Sequence, residues 1–167
     1  MTGRVIRILG VDPGLRATGW GLIEAHGSRL SFLACGSITT DAAQALAGRL
    51  AAIHASLAAL VVREAPHEAA VEETFVNRDP QSTLKLGQAR GAALAALALT
   101  GLPVAEYAAN LIKKTVVGVG HAEKPQVAMM VKRLLPASNA LSPDAADALA
   151  VAICHAQHRS SARRGAA

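Results

Sequence analysis

Four acidic residues stand where a carboxylate is costly unless something compensates its charge. Asp12 follows the apolar run ILGV, Glu72 interrupts the run AAVEETF, and Asp144 and Asp147 lie in the alanine-rich stretch SPDAADALAVAI. Removing a carboxylate from water costs several kcal/mol without a partner or a metal ion. Taken singly, Asp12 is typical of a turn, Glu72 of a solvated strand end and Asp144 of the first turn of a helix. Asp147 has the weakest such explanation, because it interrupts an apolar helical surface.

The expected chemistry changes if the fold brings these four acids together. Clustered carboxylates repel one another at neutral pH, and Mg²⁺ or Mn²⁺ with oxygen ligands offsets that repulsion. Two such ions about 3.5–4 Å apart can activate a water molecule and stabilise the leaving oxygen in phosphodiester hydrolysis. Asp144 and Asp147 are three residues apart and can share one face of a helix. The set therefore predicts a site for metal-dependent phosphodiester hydrolysis.

The hydrophobic pattern predicts the elements that must position these acids. Apolar runs predict strands over residues 4–12, 18–25, 30–38, 68–75 and 102–106. Helical spacing predicts helices over 41–64 with Asp41 as N-cap, 82–100, 108–116, 125–135 and, after Ser142 as N-cap, from Pro143 onward. This order predicts an α/β fold with one five-stranded mixed sheet, antiparallel first and then parallel. Ligands of such sheets bind at the carboxyl ends of the parallel strands, where Asp12 is expected.

Basic residues surround the predicted acidic site. Lys113 and Lys114 precede a glycine-rich loop at 118–120, and Lys124 follows it. There they could bind a phosphate or a charge that develops in the transition state, although exposed lysines are usually only solvated. The same two interpretations apply to three basic residues after Glu72 and to one loop histidine: Arg78, Lys85, Arg90 and His121.

An aromatic residue also lies close to the predicted site. Phe75 is three residues past Glu72, in a chain with one Trp, one Tyr and two Phe. Core packing and an exposed residue that stacks on DNA bases are equally open interpretations for it.

Composition limits the class of protein. The 167 residues suffice for one domain, predicted over 1–158, and 51% of them are hydrophobic. A formal net charge of +5 favours an anionic partner without establishing one. Cys35 and Cys154 have neither metal-ligand spacing nor a disulfide framework, which is typical of buried thiols in a reducing cytosol. We see no signal peptide or long apolar run, and we expect a cytoplasmic protein without membrane contact, ending in a disordered basic tail over 159–167.

Five longer motifs resemble those of the RuvC family of bacterial Holliday junction resolvases. They are GVDPGLRATGWG, VEETF, STLKLGQARG, EYAANLIKKTVVGVGHAEKPQV and PDAADALAVAI, in the family's order between Ile8 and His155. The resemblance implies a ribonuclease H-like fold with helices on both faces of the sheet. It implies a homodimer that nicks two strands of like polarity across a four-way DNA junction, in recombination and repair, leaving 5′-phosphate and 3′-hydroxyl ends. It further implies two Mg²⁺ ions per site, with Mn²⁺ as a substitute, and cooperation with the RuvA–RuvB branch-migration complex.

The resemblance also implies roles for individual residues. The family's metal-binding acids correspond to Asp12, Glu72, Asp144 and Asp147, and its catalytic lysines to Lys113 and Lys124. Its junction-stacking aromatic corresponds to Phe75, and the predicted DNA contacts further include Arg78, Lys85, Arg90, Lys114 and His121. The chain departs from many members at His121 and from some at Asp144. We hypothesise that the alanine-rich helix 82–100 forms the dimer interface.

Two alternatives remain at this point. Sugar kinases and related phosphotransferases share the ribonuclease H-like core, but they usually have two such domains and an adenosine motif that we do not find in this sequence. A DNA-structure binder with a decayed site is the other alternative, and the intact acids and lysines argue against it.

Overall fold

The computed structural model describes residues 4–73, 78–139 and 141–164. Within those ranges one five-stranded sheet has the order β3-β2-β1-β4-β5. Its strands are β1 (Ile6–Asp12), β2 (Ala17–His26), β3 (Arg29–Thr39), β4 (Glu68–Glu72) and β5 (Val104–Tyr107). The helices are α1 (Leu46–Glu64), α2 (Pro80–Leu99), α3 (Ala109–Val117), α4 (Lys124–Leu134) and α5 (Pro143–Arg164). Strands β1, β2 and β3 are antiparallel, whereas β1, β4 and β5 are parallel, as the sequence predicts.

Helices cover both faces of the sheet because its central strands alternate between two apolar cores. In β1, Ile8 packs in the core on the side of α3, α4 and α5, whereas Leu9 and Val11 pack in the core on the side of α1 and α2. In β4, Ala70 belongs to the first core and Val71 to the second. The period of two therefore places Asp12 and Glu72 on the α5 face of the sheet.

Helix α5 lies unusually close to the sheet. A Cβ added to Gly10 would lie 2.2 Å from the carbonyl oxygen of Ala148, and one added to Gly19 would lie 2.1 Å from that of Asp144. These glycines therefore face the helix backbone directly, and any larger residue would force α5 away. This close approach brings the start of α5 to the strand ends that carry the other acids.

Helix α1 begins five residues later than predicted. It starts at Leu46, and Asp41 is not its N-cap: the Asp41 carboxylate instead accepts from the backbone N–H of Ala43 in the preceding turn, at 2.9 Å. By length and composition α1 is apolar enough to cross a membrane, but Leu57 and Leu60 on its inner face are buried in the core.

Other boundaries also differ from prediction. Helix α2 begins at Pro80, because Asp79 caps it by accepting from the N–H groups of Gln81 and Ser82. Strand β4 ends at Glu72, and residues 74–77 lie outside the described ranges. The expected disordered tail at 159–167 is wrong for residues 159–164, which continue α5, and the expectation for 165–167 falls outside the described residues.

Candidate active site

Two carboxylates meet at the carboxyl ends of neighbouring parallel strands. Val11 pairs with Val71 across β1 and β4, so Asp12 and Glu72 end the two strands side by side on the α5 face. Their carboxyl groups hydrogen-bond to each other, which requires one proton between them. Burial, together with the charges of Glu72 and Asp147, raises the pKa of Asp12 to about 8. Asp12 therefore holds the shared proton at neutral pH.

The third carboxylate, Asp147, comes from α5. Its Oδ2 accepts a hydrogen bond from Nζ of Lys124 at 3.1 Å, and its side chain is 19% exposed. The charge of Asp147, with that hydrogen bond, raises the pKa of Lys124, and the neighbouring Asp12 and Glu72 add to the increase. Lys124 therefore remains a cation beside the acids.

Local sequence signals place the two lysines of the site. Lys124 is the first residue of α4, which begins there because the Gln126 side chain accepts from the N–H of Glu123 at 2.8 Å. Lys113 lies on α3, and its charge, like that of Lys124, lowers the pKa of Glu72 against the larger upward effect of burial.

These groups line one cleft of about 190 Å³ at the end of the sheet. Its polar lining consists of Asp12, Glu72, Asp147, Lys113 and Lys124, and its apolar lining of Ala109, Ile112, Val127 and Ala150. The structure thus brings together three of the four predicted metal ligands and both predicted catalytic lysines. Three acids facing two cations is an arrangement suited to holding divalent metal ions against a phosphate.

Asp144 lies apart from that cluster. It is half-buried and lines a neighbouring open cleft of about 500 Å³ together with Gly14, Arg16 and Thr40. Positions three apart on a helix differ by about 60° around its axis, which is enough to aim Asp144 and Asp147 into adjacent clefts. Within the described residues, no three His, Cys, Asp or Glu side chains are already arranged as a metal site.

The predicted DNA contacts fall into three groups. Phe75 lies outside the described residues. Four side chains are exposed, at the start of α2, on α3 and in the loop before α4: Arg78, Lys85, Lys114 and His121. Arg90 differs, because its guanidinium donates to the carbonyl of Glu72 at 3.2 Å and forms an ion pair with Glu106. The structure therefore gives Arg90 a role in holding the end of β4, which the sequence pattern did not suggest.

A buried polar network at the opposite end of β4 was missed by the sequence analysis. Glu68 is 3% exposed, and its carboxylate contacts Nε2 of His155 at 2.8 Å and the guanidinium of Arg159. The other ring nitrogen of His155, Nδ1, lies 2.8 Å from the hydroxyl of Tyr107. We call these four residues the Glu68 network. The alternation in EAAVE places Glu68 on the same face as Glu72, but nothing local identifies its partners on α5.

Comparison with known proteins adds an independent line of evidence. Residues 8–155 match the family described as "Crossover junction endodeoxyribonuclease RuvC". The chain is 70% identical over 161 residues to the protein of that name from Methylocella silvestris, covering 96% of this chain and 92% of the relative. For the corresponding Beijerinckia indica protein the identity is 66% over 154 residues, with 92% and 88% covered.

Solved structures agree with the sequence matches. The chain is similar to Thermus thermophilus RuvC in complex with Holliday junction substrate, with a TM-score of 0.86, 34% identity and 96% of each chain covered. It shares its fold with the yeast mitochondrial Holliday junction resolvase, with a TM-score of 0.69, 12% identity and coverage of 98% and 83%. The predicted fold class, a ribonuclease H-like mixed sheet with helices on both faces, is confirmed.

Acidification should weaken the fold through Glu68. Burial alone would raise its pKa, but hydrogen bonds from Arg159 and His155 outweigh burial and lower it to about 2. An unfolded glutamate titrates near pH 4.3. Glu68 therefore contributes on the order of 2–3 kcal/mol to the free energy of unfolding above that pH, and this contribution is lost as pH falls toward 2. We expect the melting temperature to fall more steeply below about pH 4.5 in the wild type than in Glu68→Gln, whose side chain does not titrate. Parallel curves for the two proteins would contradict this assignment.

Proposed function

The chain belongs to the RuvC family of crossover junction endodeoxyribonucleases, and we propose that the cleft at the ends of β1 and β4 is where it cuts a four-way DNA junction. It is a Holliday junction resolvase, an endonuclease of DNA recombination and repair. The observation that carries the proposal for the site is the cleft in which Asp12, Glu72 and Asp147 face Lys113 and Lys124. We propose that two strands of like polarity are nicked symmetrically, leaving 5′-phosphate and 3′-hydroxyl ends.

The donor set of the cleft fits Mg²⁺. Its ligands are hard carboxylate oxygens, and the pKa of Asp12 is raised by burial and by the charges of its neighbours, the same repulsion that a divalent cation offsets. We propose that Asp12, Glu72 and Asp147, together with Asp144, hold two Mg²⁺ ions, with Mn²⁺ as a substitute. When bound, such ions activate water and neutralise charge on the phosphate.

The two lysines of the cleft act on the phosphate. Because the neighbouring acids raise its pKa, Lys124 is a cation at working pH, and it can neutralise charge as a phosphodiester bond breaks. Lys113 supplies a second positive charge from α3. The apolar residues Ile112 and Val127 between them limit the water that reaches the bond, which strengthens both interactions.

The arms of the junction run over the exposed basic residues around the cleft. We propose phosphate contacts for Lys85, Lys114 and His121, contacts for Arg78 just before α2, and base stacking for Phe75. The net charge of +5 favours such binding, which weakens as salt concentration rises. We also propose, on the family resemblance, cooperation with RuvA–RuvB in the cytoplasm.

A homodimer matches the approximate two-fold symmetry of a four-way junction. Within the chain, Ala89, Ala93 and Leu97 on α2 are used in packing against α1, so they are not available to a second subunit. The opposite side of α2 presents a stripe of exposed residues at helical spacing, which consists of Leu84, Gln88, Gly91, Ala95 and Leu99. We propose that this stripe, with Leu84 67% and Leu99 78% exposed, packs against its symmetry copy.

Ala95→Glu tests the dimer interface. Two-fold symmetry would place one added carboxylate from each subunit in the same apolar contact, so we expect a folded monomer in light scattering. Met129→Glu, at an exposed site on α4 across the sheet, is the matched control and should stay dimeric. A dimeric Ala95→Glu protein would show that the interface lies elsewhere.

Nick mapping on a mobile synthetic junction with Mg²⁺ tests the proposed activity. The wild type should give symmetric, ligatable nicks in two strands of like polarity. Asp12→Asn should slow cleavage by at least about 100-fold, since it removes a metal-binding charge, while junction affinity is kept. Glu73→Gln removes an exposed charge next to Glu72 and should cleave normally.

Two results would reject the activity or its site. Cleavage by Asp12→Asn at near the wild-type rate would show that Asp12 is not part of the active site. ATP turnover without nicking by the wild type would favour a phosphotransferase.

A further inference from the structure

The Glu68 network and the cleft lie at opposite ends of the same two elements. On β4, Glu68 precedes Glu72 by four residues, roughly 13 Å of strand. On α5, His155 follows Asp147 by eight residues, roughly 12 Å of helix. The strand runs toward the cleft while the helix runs away from it, so the two spans are matched. The contacts of Glu68 with His155 and Arg159 therefore join β4 to α5 roughly 12–13 Å from the acids of the cleft.

Where α5 faces β1, the surface between those two ends is built from small residues, whereas over β2 the side chain of Leu149 packs against Gly21. Ala148 and Ala152 of α5 face Gly10 of β1, where an added Cβ would lie 2.2 Å from the Ala148 oxygen and 2.9 Å from the Ala152 Cβ. Alanine methyl groups against glycine interlock less than large side chains do, so this contact fixes the separation of helix and sheet better than their relative position along the strands. Directional hydrogen bonds add to the constraint on that position.

The network also reaches other elements that line the cleft. Tyr107 ends β5, and its carbonyl accepts from the N–H of Glu73, next to Glu72, at 2.9 Å. One turn beyond the network on α5, His158 lies 3.0 Å from the hydroxyl of Thr115 on α3, two residues after Lys113. The C-terminal half of α5 is thus hydrogen-bonded to β4, β5 and α3. Strand β4 and helix α3 contribute Glu72 and Lys113 to the cleft, and β5 pairs with β4.

We propose that the Glu68 network sets the position of α5 along the sheet and thereby holds Asp147 in place relative to Asp12 and Glu72. The proposal rests on the proposed function of the cleft. None of the four residues Glu68, Tyr107, His155 and Arg159 lines the cleft, so they are positioning residues rather than catalytic ones. Loss of the network leaves the acids present but displaced.

The test compares Glu68→Ala, Tyr107→Phe and Glu68→Gln with the wild type in the full-length protein. We measure the single-turnover cleavage rate at saturating enzyme, junction affinity in EDTA, Mn²⁺ affinity of the free protein by electron paramagnetic resonance, and melting temperature. A displacement of about 1 Å can cost 10²-fold in rate, so we expect Glu68→Ala to lose about 10-fold or more in rate and to bind Mn²⁺ about 10-fold more weakly, with junction affinity unchanged. Glu68→Gln keeps the shape of the side chain and one acceptor oxygen, but its NH₂ group meets an N–H donor of Arg159, so it should lose less in both quantities than Glu68→Ala.

Leu57→Ala is the control for a general loss of stability. Leu57 is fully buried in the core on the other face of the sheet, so its truncation lowers the melting temperature without touching the network. It should cleave and bind Mn²⁺ like the wild type at a temperature where it is folded.

Several outcomes would overturn the proposal. One is a folded Glu68→Ala protein whose cleavage rate and Mn²⁺ affinity lie within about 2-fold of the wild type. The proposal would also be overturned if Leu57→Ala, destabilised to the same melting temperature as Glu68→Ala, lost as much cleavage rate and Mn²⁺ affinity. If Glu68→Ala does not fold, Tyr107→Phe decides, because it removes a single hydroxyl and should give a smaller loss in the same two quantities; no loss would reject the proposal. A wild type that does not cut junctions would instead reject the proposed function of the cleft.

Discussion

Repulsion between buried carboxylates is the constraint on which the rest of this structure depends. Asp12 and Glu72 end adjacent strands with Asp147 beside them, and burial together with this crowding raises the pKa of Asp12 to about 8. Such a cluster persists because Lys124 donates to Asp147 at 3.1 Å and because both cores hold the strands rigidly. The same repulsion gives the cleft its affinity for divalent cations, since a cation removes the cost that folding incurs there.

The fold achieves this crowding with a simple alternation. In β1 and β4 every second residue faces α5, so one strand face carries Gly10 and Asp12 and the neighbouring one carries Ala70 and Glu72. Small residues before each acid let the helix approach, and the acids then project at the carboxyl ends, where parallel sheets bind their ligands. Close packing and catalytic geometry are therefore consequences of one pattern.

The same pattern explains how much the sequence could predict. One mixed sheet followed from the order of the elements, whereas helices on both faces were implied by the family resemblance, and the meeting of Asp12 with Glu72 was a condition of the predicted site. The separation of Asp144 from the cluster could not be predicted, because the direction of a side chain at a helix start depends on how closely that helix packs. Arg90 and Glu68 have partners distant in sequence, and only the assembled fold brings such residues together.

The central claim is that the acids of β1, β4 and α5 form one cation site. Anomalous scattering from crystals soaked in Mn²⁺ tests it most directly, because it locates the ion without relying on activity. We predict an anomalous peak within ligand distance, about 2.0–2.2 Å, of carboxylate oxygens of Asp12, Glu72 and Asp147. The same soak of Asp12→Asn crystals should give a weaker peak or none. A wild-type cleft without a peak, in crystals that bind Mn²⁺ elsewhere, would contradict the account.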